Sequence, residues 1–310
     1  MSSFYIFNIQ LLKSKDGITE EAGEARYLQL FNSLGLRQKK IISEKKILND
    51  AFQLKNNGYF IPTFANQEVF EYFLFRRKVK KNVIVGSFEK FNEASEVQEY
   101  YSKAVLFSKD EDQTAISNRF EFAFLFDPVA HWLAIEDPLG KLPGLVTMEK
   151  ILNRYLSPIA SKLFDDYSLQ INLVSKQDTL QEVIATAVGF KRIHAELTFK
   201  NGPTANQVLN KMADDRLHKL DMTVSAAKDD VMPRVPDVMQ GVLENTSLYG
   251  KSEITYIDGT GGKRRVAKFN SLENPEKISA RRKMDEGIFD YLGRISKSLI
   301  TLATRRGHVE

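Results

Sequence analysis

The sequence predicts a mixed α+β fold: mainly antiparallel sheets with flanking helices, arranged in two lobes and closed by a long C-terminal helix. Three observations carry this. First, Arg119-Phe-Glu-Phe-Ala-Phe-Leu-Phe126 alternates, so Phe120, Phe122, Phe124 and Phe126 share one face of a strand. After Asp127-Pro128-Val129, the segment Ala130–Ile135 reads as the returning strand. Second, an amphipathic helical period follows from about Val146 to Phe164. Third, 310 residues with 43% hydrophobic and 27% charged content are enough to bury a sizeable core without staples.

Taken in order, Phe4–Leu12 is the first strand and Lys13–Gly17 a turn. Thr19 caps a helix whose early Glu20, Glu21 and Glu24 suit the helix dipole. Leu28, Leu30, Phe31 and Leu34 form its apolar side, and Gly35 is the expected stop. Lys46–Asn49, Ala51–Lys55 and Tyr59–Phe64 read as strands, with Lys55-Asn-Asn-Gly58 as the hairpin signal. Val69–Val79 and Val83–Phe88 read as a pair joined at Lys80-Lys81-Asn82. A short helix around Glu96–Tyr101 and a strand at Ala104–Ser108 lie in the polar, acidic stretch 91–117, which separates the expected lobes 1–116 and 117–310.

Beyond the central helix, strands and helices alternate. Leu169–Val174 is a strand, Thr179–Ala187 a helix stopped by Gly189, and Phe190–Phe199 a strand. A helix begins near Pro203, a strand spans Met222–Ala227, and a short helix spans Pro236–Asn245. Glu253–Asp258 and Arg265–Asn270 pair across a glycine-rich turn. Pro275 opens the long terminal helix, which runs to about Arg305.

Zero cysteines exclude disulfides and thiolate-held metal centres, in keeping with a reducing cytoplasm. The N-terminus lacks a basic region and cleavage site, and no run of eighteen apolar residues occurs, so neither a signal peptide nor a membrane span is expected. The net charge of +4 is unevenly spread. Residues 36–90 hold 12 Lys/Arg against 5 Asp/Glu, residues 91–250 hold 16 against 23, and residues 251–310 hold 13 against 8. Two basic segments flank an acidic middle, the pattern of a chain that folds its cations together against a polyanion. The candidate nucleic-acid-binding residues are Arg76, Arg77, Lys78, Lys80 and Lys81 in the first segment. In the second they are Lys263, Arg264 and Arg265 at a hairpin tip, with Arg281 and Arg282 early in the last helix. Cations at a helix start oppose its dipole, a local conflict that phosphate contacts would justify. The competing reading is a charged edge strand and solvated faces.

Signals for catalysis fail on spacing. Gly259-Thr-Gly-Gly-Lys263 has Ile257 and Arg264 where a phosphate loop needs glycine and a hydroxyl, and it lies between strands. His131, His194, His218 and His308 show no metal-ligand spacing. No serine sits in a nucleophile elbow. The expectation is a protein without catalytic, cofactor or metal residues. Two other readings stay open: a protein-interaction or sensor module, and a nucleic-acid-processing enzyme with an unrecognised site.

The layout also resembles a known family. Val83-Ile-Val-Gly-Ser-Phe-Glu-Lys90, Phe122–Ile135, Leu142–Ile151 opening a helix, and the hairpin Ile254–Arg265 before a terminal helix look like the RexA-like phage-exclusion proteins. The resemblance implies a cytoplasmic homodimer that binds DNA, double-stranded, with little sequence preference. It also implies a role in bacterial antiphage defence, with a membrane-protein partner.

Overall fold

The computed structural model describes residues 2–13, 22–55, 58–74, 77–98, 101–110, 114–198, 219–259 and 264–306. Its frame is a large antiparallel sheet. Strand β1 (Ser2–Lys13) lies inside it and pairs with β8 (Trp132–Asp137), β9 (Tyr167–Leu173) and β14 (Lys277–Ala280). On the far side of β8, the order continues through β7 (Ile116–Asp127), β4 (Arg77–Glu93), β3 (Gly58–Leu74) and β2 (Phe52–Gln53). The expected α+β class holds. The expected lobe boundary at residue 116 does not mark a structural division, because β4 bonds to β7 and β1 bonds to three strands from beyond it.

The alternation of apolar residues sets the two faces of this sheet. Phe60, Ile84, Phe88, Phe122, Phe124 and Phe126 face helices α1 (Glu24–Ser43) and α3 (Leu145–Leu163). Phe31 of α1 stacks on Phe126 at 4.3 Å between ring centres, and aromatic pairs of this kind add to their burial. Tyr155 of α3 donates its hydroxyl to Phe60 O and accepts from Phe52 N, tying α3 to the sheet edge. The opposite face carries Phe4, Ile6, Val83, Val85, Leu125 and Trp132, which are covered by α6 (Ile288–Arg305) through Tyr291, Leu292, Ile295 and Leu299.

A second sheet, in the order β11 (Lys219–Ser225), β10 (Ala187–Thr198), β12 (Gly250–Asp258), β13 (Arg265–Asn270), buries Ile193, Ala195, Leu197 and Ile254 against α4 (Gln177–Thr186) and α5 (Asp237–Tyr249). A small ribbon of β5 (Glu96–Gln98) and β6 (Val105–Ser108) completes the described strands. No described helix is long and apolar enough to cross a membrane.

Several sequence expectations need correction. Gly35 does not stop α1. It sits inside the helix where it crosses β3, and a Cβ there would collide with Ala65 O. Residues Ile47–Asp50 form the one-turn helix α2 rather than a strand. No turn falls at Lys80-Lys81-Asn82, because these residues belong to β4 and face Glu71, Phe70 and Val69 of β3. The helix expected near Glu96 is β5. Gly189 lies within β10. Pro275 starts no helix, because the chain after it adds to the open edge of β1: Ser175 bridges Pro275, Glu276 N donates to Val174 O, and β14 follows. The expected helix from Pro203 and the turn residues 260–263 lie outside the described residues.

Candidate nucleic-acid interface

The two basic segments fold differently from one another. In the β3–β4 hairpin, successive side chains alternate between sheet faces. Lys78 and Lys80 lie on the α1 side and both reach Glu71 on the partner strand, at 2.6 and 2.9 Å. Hydrogen bonds from Lys78 and then Lys80 pull the Glu71 carboxyl down to about 2. Lys81 points the other way, into the interior. Its side chain is 9% exposed, and its Nζ lies 3.2 Å from Asp127 Oδ1. The same oxygen accepts the backbone N–H groups of Val129 and Ala130, so Asp127 both closes the β7–β8 turn and balances Lys81. A lysine held this way cannot reach a phosphate, and it is withdrawn from the interface. The backbone of Arg77 opens β4 opposite Leu74, and Arg76 lies outside the described residues.

The C-terminal segment keeps its cations at the surface. Residues 264–283 hold seven Lys/Arg against two acids, Glu273 and Glu276. Glu276 is already taken by Arg306 at 2.6 Å. Arg264 is exposed, Arg265 bonds Asp258 at 3.0 Å, and Lys263 lies outside the described residues. Arg281 and Arg282 sit in the loop between β14 and α6, not inside a helix, so the expected conflict with the helix dipole does not arise. Gly287 precedes that helix and Asp290 lies in its first turn.

One carboxylate organises this loop. Glu286 accepts Arg294 Nε at 2.6 Å and the Lys283 N–H at 3.1 Å, and its carbonyl accepts Arg282 Nε at 2.9 Å. Arg294 also donates to Arg281 O at 3.0 Å. The Arg294 bond comes first among the causes that hold the Glu286 carboxyl at about 2. With Arg294 and Glu286 satisfying each other, Arg281, Arg282 and Lys283 remain exposed and make no ion pair among the described residues. The fold therefore brings Arg281 and Arg282 together on one braced loop. Arg264 and Arg265 belong to the second sheet, and Lys78 and Lys80 to the hairpin.

Beside the loop, a cleft of about 440 Å³ opens between α6 and the sheet, lined by Phe64, Glu121, Glu136, Arg282 and Phe289 among others. None of these but Arg282 stood out in the sequence. Glu121 and Glu136 read in the sequence as ordinary outward strand residues; Glu121 stays exposed and Glu136 is half-buried, and the packing of α6 beside them forms the cleft. The remaining chemistry is thin. His194, Glu196 and Asp221 have ligand atoms within 4.8 Å of one another on the open face of the second sheet. Lys219 and Lys251 already hold Glu196 at 2.6 and 3.0 Å, a charge balance that disfavours a cation there. His131 lies in the β7–β8 turn at φ 57°, stacked on Tyr27, and not in a strand.

No curated protein matches the chain. The family described as "Domain of unknown function (DUF4747)" matches residues 2–297, which is almost the whole sequence, and the chain belongs to that family.

Proposed function

We propose that this protein binds nucleic acid through its phosphate backbone, largely without regard to base sequence. The observation that carries the reading is the loop holding Arg281, Arg282 and Lys283. These are three adjacent exposed cations without an ion-pair partner among the described residues, on a backbone fixed by Glu286 and Arg294. Arginine matches phosphate with two parallel N–H groups, and a braced loop loses little freedom when it does so. Arg264, just before edge strand β13, and Lys268 within that strand are also exposed, on the second sheet. Lys78 and Lys80 play a lesser part because Glu71 offsets them.

The likeness to RexA-like phage-exclusion proteins supports a setting for this binding: a cytoplasmic homodimer acting on double-stranded DNA in bacterial resistance to phage, with a membrane-protein partner. The electrophoretic mobility of unrelated duplexes across a salt series tests the binding itself. Affinity for all duplexes should fall with salt at a slope near −0.9 per neutralised phosphate. Each of Arg281→Ala and Arg282→Ala should weaken every duplex alike and reduce the slope by about 1. Lys78→Ala should leave it nearly unchanged. Absent or salt-independent binding overturns the proposal.

A further inference from the structure

The cleft beside the basic loop combines three chemistries that a simple phosphate contact does not need. Phe64 of β3 and Phe289 of α6 line it while remaining 37% and 50% exposed. Large aromatic side chains left this open on a soluble surface offer a flat apolar face to a ligand. Glu121 of β7 and Glu136 of β8 bring two carboxylates, which when ionised only accept hydrogen bonds. Glu136 is fixed by the Tyr291 hydroxyl, which donates to one of its oxygens at 3.1 Å. The Glu121 backbone pairs with β4, while its exposed side chain makes no hydrogen bond among the described residues and feels the charge of Arg119. Arg282 joins the lining from the loop, its Nε committed to Glu286 O and its terminal nitrogens left for an anion.

A ligand suited to this lining presents a flat ring face, N–H donors on its edge and a negative group nearby. A single nucleotide unit presents all three. Unstacked bases are commonly held by aromatic stacking together with hydrogen bonds to the Watson–Crick edge. Among the bases, guanine places a ring N–H and an amino N–H side by side, the pair that a carboxylate's two oxygens accept together. The volume of about 440 Å³ lies within the usual range for small-ligand clefts, roughly 300–1,000 Å³. We propose that the cleft takes one unstacked guanine of a bound strand, with its edge on Glu121 and Glu136, its face on Phe289 and its phosphate on Arg282. The proposal rests on the phosphate-binding reading above and adds to it a base-specific subsite.

The test compares three single strands of oligothymidylate that differ at one central position: guanine, thymine or an abasic site. Binding is followed by fluorescence anisotropy at several salt concentrations. The guanine strand should bind about tenfold tighter than the abasic strand, the order of magnitude of one stacked base. Phe289→Ala and Glu121→Gln should each erase that difference while the salt slope stays the same. Both residues are exposed enough to be replaced without loss of the fold, and Glu136→Gln, which keeps the Tyr291 contact, provides a second carboxylate variant. Equal affinity for all three strands, with salt dependence retained, overturns the base subsite and leaves phosphate binding standing. Failure of every strand to bind at low salt overturns both.

Discussion

Lys78, Lys80 and Lys81 lie within four residues of one strand and meet two different fates. Two share Glu71 at the surface, and one is buried against Asp127. Surface pairs such as the first two contribute little, because water and salt screen them. A buried pair behaves otherwise, because removing one partner leaves an uncompensated charge in the interior. Lys81→Met should therefore destabilise the protein by about 3 kcal/mol in urea unfolding, and Lys81→Met/Asp127→Asn should recover part of that loss. At Glu286 the effect is one of pH. Its carboxyl is held at about 2 in the folded protein against an ordinary 4.5, so its contribution is full above about 4.5 and is lost as pH falls through about 2. Glu286→Gln should speed hydrogen exchange at the Lys283 amide at pH 7, and the difference from the wild type should shrink as pH drops below that ordinary value. The charge of these residues could be read from the sequence. Their partners could not, because Glu71 and Asp127 are brought opposite by register and by a turn far along the chain.

Helix α1 shows how an element can be recognised and still be misjudged in length. Its apolar face, Leu30, Phe31 and Leu34, is plain in the sequence, and so is Gly35. A glycine after an apolar period suggests a helix end, but here it permits contact between α1 and the backbone of β3. Gly35→Ala should push the helix away from Ala65 and cost about 1–3 kcal/mol, seen as a lowered melting temperature with unchanged helix content. The Phe-rich hairpin and α3 fell where their periodicity placed them, within a few residues, since local pattern and tertiary burial agree there. Pro275 misled for the opposite reason. Its helical propensity is a local preference, and the free edge of β1 offers four paired residues in its place. The cleft was illegible for the same cause: its walls come from β3, β4, β7, β8, α6 and the loop that carries Arg282, which no local pattern connects.

At the scale of the molecule, the sequence conveyed the class and most strands but not the topology that joins them. A reading by lobes divides the chain at residue 116, whereas hydrogen bonding divides it between two sheets, with Leu12 of β1 reaching into the core of the second. The surface charge follows that topology. The consecutive strands β13 and β14 each lie at a sheet edge, and so the basic segment 264–283 passes along both rims. The position of β1 has a further consequence, in time rather than in space. It is made before its partners β8, β9 and β14, the last of them completed only at Ala280. At ~5–20 residues per second on the ribosome, one edge of β1 waits tens of seconds for its final neighbour. Non-local pairing of this kind also slows folding in the test tube. Over that interval the nascent chain exposes an apolar strand with open hydrogen-bonding groups, the condition under which a strand pairs wrongly with other chains.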